Sequence, residues 1–244
     1  MKQRVLLALV GLLAGCAPTL APHTSYIPLV RERGEAEARV ATGIGGSEIQ
    51  LGYQLTNRLV VHAGGLSYGR KAAGTHFYSA EAGAGYYYPS PNGRWRLGMH
   101  AGIAYGAGTS GNNGCFECGD AAFSAFGVRY TYAYVQPTVL LLEDPRHTWG
   151  LALLVGQAYY LKLNEQRTYP TINQVVSADY QGHASVFVQP MFQYSYQAQR
   201  WLMISAKAGT QSFLGTPNRL NALSGLVAQA SVHFVVNTRA KARR

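Results

Sequence analysis

Residues 94–105, Arg94-Trp95-Arg96-Leu97-Gly98-Met99-His100-Ala101-Gly102-Ile103-Ala104-Tyr105, decide the fold. Trp95, Leu97, Met99, Ala101, Ile103 and Tyr105 share one parity; Arg94, Arg96, Gly98, His100 and Gly102 share the other. A period of two is the mark of a β-strand with one apolar and one polar face. The same texture recurs downstream. Val186, Val188, Pro190, Phe192 and Tyr194 oppose His183, Ser185, Gln189 and Gln193. Leu202, Ile204, Ala206 and Ala208 oppose Ser205, Lys207, Gly209 and Gln211. Ala228, Ala230, Val232, Phe234 and Val236 oppose Gln229, Ser231 and His233. None of these apolar faces carries a charge, which in a membrane would cost about 2–4 kcal/mol at the midplane.

Extended along the chain, the pattern predicts about ten strands: 35–44, 47–55, 59–69, 76–88, 94–108, 123–142, 147–163, 178–197, 200–214 and 222–236. Most exceed the ~9–11 residues of a tilted membrane crossing. The connections alternate in length. Residues 56–58, 89–93, 143–146 and 197–199 are short turns, whereas 109–122 and 164–177 are long. Short turns at one end and longer loops at the other are the habit of transmembrane barrels. Composition agrees: charged residues are 13%, against a usual ~25%, with 28 Gly and 17 Tyr. The fold class predicted is all-β, an antiparallel up-and-down transmembrane barrel. Tyr86-Tyr87-Tyr88, Tyr130/Tyr132/Tyr134, Tyr159-Tyr160 and Tyr194/Tyr196 read as interfacial girdles. Pro137 and Pro190, in the near-copies Val135-Gln136-Pro137 and Val188-Gln189-Pro190, mark either bulges or an internal repeat of a two-strand unit, and a change of face near Val135 favours a bulge there.

The N-terminus has its own signal. Lys2 and Arg4 precede a short apolar run, Val5 to Leu13, and then Leu13-Ala14-Gly15-Cys16. The run is too short to span a bilayer and fits an export signal. This arrangement resembles a lipoprotein signal peptide, which implies cleavage before Cys16 and acylation of that cysteine. Residues 17–34 read as a linker, 35–236 as the barrel and 237–244 as a basic tail. With the N-terminus and short turns on the periplasmic side, the long loops fall outside. Net charge is +10; in an exported chain this points to anionic headgroups rather than nucleic acid.

These features together resemble the small outer-membrane β-barrels of Gram-negative bacteria, and more closely lipidated ones whose barrel starts at a Gly-Glu step, here Gly34-Glu35. The resemblance implies a cell outer-membrane location, contact with outer-membrane lipid, and passage through the lipoprotein and barrel assembly machinery. It implies no reaction and no cofactor. One departure is that Phe234 is followed by ten residues instead of ending the chain.

Candidate chemistry is sparse. Cys115-Phe116-Glu117-Cys118 in the long loop 109–122 is a disulfide candidate in an oxidising compartment, with a metal site the weaker reading. The polar faces gather Glu81, Arg94, Arg96, His100, His183 and Lys207 as luminal candidates, with Glu37, Arg39, His62, Lys162 and His233 beside them. Inside a narrow barrel such groups would pair with one another; so few acids among so many cations also make a basic lumen, with an anion-selective path, the weaker reading. The function expected is a structural or surface-binding barrel that meets an extracellular or envelope partner through its long loops. Two alternatives stand beside it. One is a soluble, lipid-anchored barrel holding an apolar ligand. The other is a hydrolase at the outer rim, using Asp120, Asp179, His183 or Ser185.

Overall fold

A computed structural model describes residues 25–44, 46–70, 75–114, 123–142, 144, 146–169, 174–179, 181–214 and 225–238. The strands are β1 (Glu35–Gly43), β2 (Gly46–Gln54), β3 (Leu59–Arg70), β4 (Thr75–Pro89), β5 (Trp95–Gly114), β6 (Phe123–Leu142), β7 (His147–Tyr169), β8 (Gln174–Asp179), β9 (Ala184–Gln199), β10 (Leu202–Leu214) and β11 (Gly225–Asn237). Each pairs antiparallel with its neighbour, and β1 closes on β11 from Glu35↔Asn237 to Gly43↔Gln229. β8 and β9 both pair with β7, one beyond the other, so they form a single interrupted stave. The result is a closed barrel of ten staves, in which β8 pairs only with β7 among the described residues. The described residues contain no helix.

Apolar side chains point outward and polar ones inward. Ile103 is 68% exposed and Val232 38%, while His100 and His233 are fully buried and Gln229 is 4% exposed. A soluble ligand-carrying barrel would show the reverse, so that alternative is set aside. The outer wall is an apolar belt between aromatic rings. Tyr86, Tyr88, Trp95 and Trp201 lie at the short-turn end; Tyr78, Tyr105 and Tyr159 lie toward the other end. Trp95 and Tyr105 are ten positions apart on β5, the length of a tilted crossing.

Three expectations change. Tyr130, Tyr132 and Tyr134 are not girdle residues; all three are buried inside the barrel, as are Tyr87 and Tyr160. The phase of β6 is therefore unbroken at Val135, because tyrosine here belongs to the inner parity. One register shift of β6, against β5, lies between Ser110 and Asn113; the other lies where Arg129 pairs Lys162 and Tyr130 pairs Tyr160, leaving Leu161 as the extra residue of β7. The described parts of 109–122 and 164–177 are strand, not loop. β5 runs to Gly114, β7 to Tyr169, and β8 pairs back on it. These ladders raise a wall above the barrel on the β5–β8 side.

The end of the lumen away from the short turns is packed by aromatic and aliphatic side chains: Phe77, Val128, Tyr130, Tyr132, Tyr160 and Phe187 form part of one cluster. Glycines on the opposing staves make room. A Cβ at Gly106 would lie 2.2 Å from the Tyr130 ring, so the ring rests on bare backbone.

Candidate functional site

The residues expected to be a linker form the most specific structure in the molecule. Ser25, Tyr26, Ile27, Leu29 and Val30 are buried inside the barrel, each 4% exposed or less. They pack with Val60, Tyr87, Leu140, Met191, Met203 and Val235 at the short-turn end of the lumen. The linker reading of 25–34 is thus corrected: this stretch is a luminal strap. Its apolar run, Tyr26-Ile27-Pro28-Leu29-Val30, is what a free tether in water would lack.

The Gly34-Glu35 step turns the strap into β1. Gly34 has φ of 88°, a left-handed conformation that suits glycine. Its N–H donates to the Gln54 carbonyl at 2.8 Å, and its own carbonyl accepts the Thr238 N–H at 3.0 Å. The Glu35 carboxylate accepts the N–H groups of Arg31 (2.6 Å) and Glu32 (3.0 Å). Both chain ends of the barrel are pinned at this one turn.

Barrel side chains hold the strap by its backbone. Lys207 Nζ donates to the Ser25 carbonyl at 2.7 Å, and Gln136 Nε2 donates to the Tyr26 carbonyl at 2.7 Å. Arg96 donates to the carbonyls of Val30 (3.0 Å) and Arg31 (3.4 Å) while lying over the Tyr87 ring. In return Arg31 donates to Thr148 Oγ1 at 3.1 Å. Glu37 Oε2 accepts the Leu29 N–H (3.0 Å) and the Tyr26 hydroxyl (3.3 Å). The Tyr26 ring stacks on His62 at 4.5 Å, and its hydroxyl passes so close to Gly52 that a Cβ there would be 1.7 Å away. Gly52 is glycine because the strap lies on it.

A charge network continues from the strap. Glu37 Oε1 faces His233 Nδ1 at 2.5 Å, and His233 Nε2 meets Ser205 Oγ at 2.6 Å and Ser231 Oγ at 3.1 Å. Arg39 donates to Gln50 (2.5 Å) and Gln229 (2.9 Å) and lies 3.9 Å from Glu48. Gln50 links Glu48 (2.7 Å) to Glu81 (3.4 Å). Buried charges at this density are tolerable because each has partners.

Of the sequence candidates, Glu81, Arg96, His100 and Lys207 are buried in the lumen. His100 bonds the Tyr87 hydroxyl. Arg94 and His183 are exposed beyond the strand ends, in the turns before β5 and β9. Lys162 is exposed on the outer wall. Ser185 is buried while His183 is not, so they do not form a pair at the rim. Cys16, Cys115, Cys118 and Asp120 lie outside the described residues. Glu48 is not among the sequence candidates, although the alternation of Ile49, Leu51 and Tyr53 against Glu48, Gln50 and Gln54 marks it as inward. With it, among the described residues three buried carboxylates (Glu37, Glu48, Glu81) face three buried cations (Arg39, Arg96, Lys207), a paired network with no basic excess. No group of metal-ligating side chains occurs among the described residues.

No protein-family model and no curated protein sequence matches the chain. Among solved structures it is similar to the outer-membrane protease OmpT of Escherichia coli at 8% identity and a TM-score of 0.48, over 82% of this chain and 90% of that one. It is similar to the N-terminal β-barrel domain of Pseudomonas aeruginosa OprF at 12% identity and a TM-score of 0.37, over 84% and 98%. A third is the Ralstonia pickettii toluene transporter TbuX, at 10% identity and 0.37, over 83% and 72%.

Proposed function

We propose that this chain is an outer-membrane β-barrel lipoprotein, acylated at Cys16 on the periplasmic side, whose lumen is sealed by its own strap. Its role is structural or surface-binding, exercised through the raised β5–β8 wall and the loops of that end, with no reaction of its own. The observation that carries this reading is the filling of the lumen: the strap occupies the short-turn half, aromatic rings the other, and the charge network lies between them. A ten-stave barrel is little wider than the eight-strand kind that side chains fill, and here they do. Cys16 reaches back to the mouth readily, since the chain from it to Ser25 spans up to about 30 Å. Planar-bilayer recording tests the seal. The native protein, retained in carbonate-washed outer membranes, should show no steady conductance; regular open steps would overturn the reading. Acyl-chain labelling should be lost in Cys16→Ala.

A second reading has one observation behind it. Glu37, His233 and Ser205 stand in the order carboxylate–imidazole–hydroxyl of a nucleophilic triad. The strap lies over it, so a hydrolase would need the strap displaced. A fluorophosphonate that labels Ser205 would support this reading. Failure to label it in both the native protein and a strap-released variant leaves the array structural.

A further inference from the structure

The outer wall carries a feature that the sealed lumen does not use. Above the Tyr105–Thr131–Tyr159 row, the next outward-facing row sets Arg129 directly opposite Lys162. Both are exposed, and among the described residues neither has an ion-pair partner. The outward acid of the adjoining stave, Asp179, lies opposite Asn164, and its Oδ1 accepts the Gln181 N–H. Like charges directly opposite across a ladder destabilise it, so this pair asks for an anion.

The bulge makes the pair. Tyr160 and Leu163 are both buried in the lumen with two residues between them, Leu161 and Lys162, both outward. Without the extra residue, strict alternation would turn Lys162 inward. Bulges re-aim side chains in this way.

Directly below the cations is a groove of about 720 Å³ on the outer wall, running over Ala133 on β6 between Tyr105 and Ile103 on one side and Tyr159 and Gln157 on the other. Gln157 is exposed in the apolar belt, and its carboxamide has no hydrogen bond among the described residues. An unpartnered amide facing hydrocarbon is costly. Going down the wall, the order is therefore a cationic pair, two tyrosines at the interface, one amide, and an apolar trough.

We infer that this strip of β5–β7 binds an anionic, phosphate-bearing membrane lipid in the leaflet on the raised-wall side. Arg129 and Lys162 hold the phosphate, Gln157 meets the ester or amide linkage, and one acyl chain lies over Ala133 between the tyrosines. The inference rests on the transmembrane reading of the barrel.

Native mass spectrometry of the full chain, released from mixed phosphatidylglycerol–phosphatidylcholine bilayers, tests it. The native protein should retain phosphatidylglycerol over phosphatidylcholine. Arg129→Gln with Lys162→Gln should reduce that preference roughly tenfold or more, in line with two basic side chains at an anionic surface. Ala133→Trp, which fills the trough and keeps both charges, should also lose the bound lipid. Each variant is first shown to fold by its shifted mobility on unboiled gels. Equal retention of both lipids, or unchanged retention in either folded variant, overturns the site. Displacement of the lipid by inorganic phosphate alone would reassign the pair to a free anion and also overturn it. A protein that stays folded without detergent would defeat the transmembrane reading itself, an outcome distinct from a folded membrane barrel without lipid preference.

Discussion

The two halves of the lumen are filled by different means. Away from the short turns, rings from the staves themselves fill the space: Tyr130 rests on Gly106, and Tyr132 meets Phe187 edge to face at 5.4 Å. At the short-turn end a separate segment fills it, Ser25 to Arg31, gripped by Lys207, Gln136, Arg96 and Glu37. The first half is a core that the barrel makes as it closes. The second is a bound peptide that happens to be covalently attached, so the two should respond differently to mutation.

Removing a ring from the first half strikes the barrel itself. Tyr130→Ala should cost about 3–5 kcal/mol, the usual toll of a large aromatic cavity, read as a lower urea midpoint for the folded gel species. It should leave trypsin access to Arg31 and Arg33 unchanged. Arg96→Leu tests the second half. Losing hydrogen bonds from a charged donor to the Val30 and Arg31 carbonyls should cost about 1.5–3 kcal/mol. Cleavage at Arg31 and Arg33 should rise while the barrel keeps its gel mobility. If cleavage is unchanged, the strap does not depend on that grip.

Gly52→Ala sharpens the contrast from the opposite side. The new methyl would collide with the Tyr26 hydroxyl, and overpacking of this kind costs about 1–3 kcal/mol. The companion change Tyr26→Phe, which removes that hydroxyl, should relieve it in a double-mutant cycle; strict additivity would mean the two residues do not touch. Arg94→Gln, in an exposed turn, should stay within about 0.5 kcal/mol of the native protein.

This division also explains what the sequence made legible. The ten staves, their parity and the outward apolar face follow from period two, and the strand bounds in 35–104 match within a residue or two. Tyrosine parity was misread because Tyr is amphipathic: the same residue suits a membrane interface and a crowded lumen, and only neighbouring glycines such as Gly106 separate the two. The strap is not legible because its prolines resemble a tether and its partners lie far along the chain, Lys207 being 182 positions from Ser25. Two local signals did exist. Tyr26 to Val30 is apolar, and Gly52 sits at an inward position of β2, where it leaves room for another segment. The Arg129–Lys162 pair was hidden because one extra residue in β7 cannot be counted before its partner strand is known.

The central claim is that the strap from Ser25 to Val30 lies inside the barrel. Ile27→Cys, in a chain whose Cys115 and Cys118 are changed to serine, measures this most directly, through the rate of reaction with a bulky water-soluble maleimide in the folded state. The sealed-lumen account predicts strong protection in the folded protein and rapid labelling once boiling unfolds the barrel. Labelling of the folded protein as fast as the unfolded chain would show the segment to be a free tether and contradict the account.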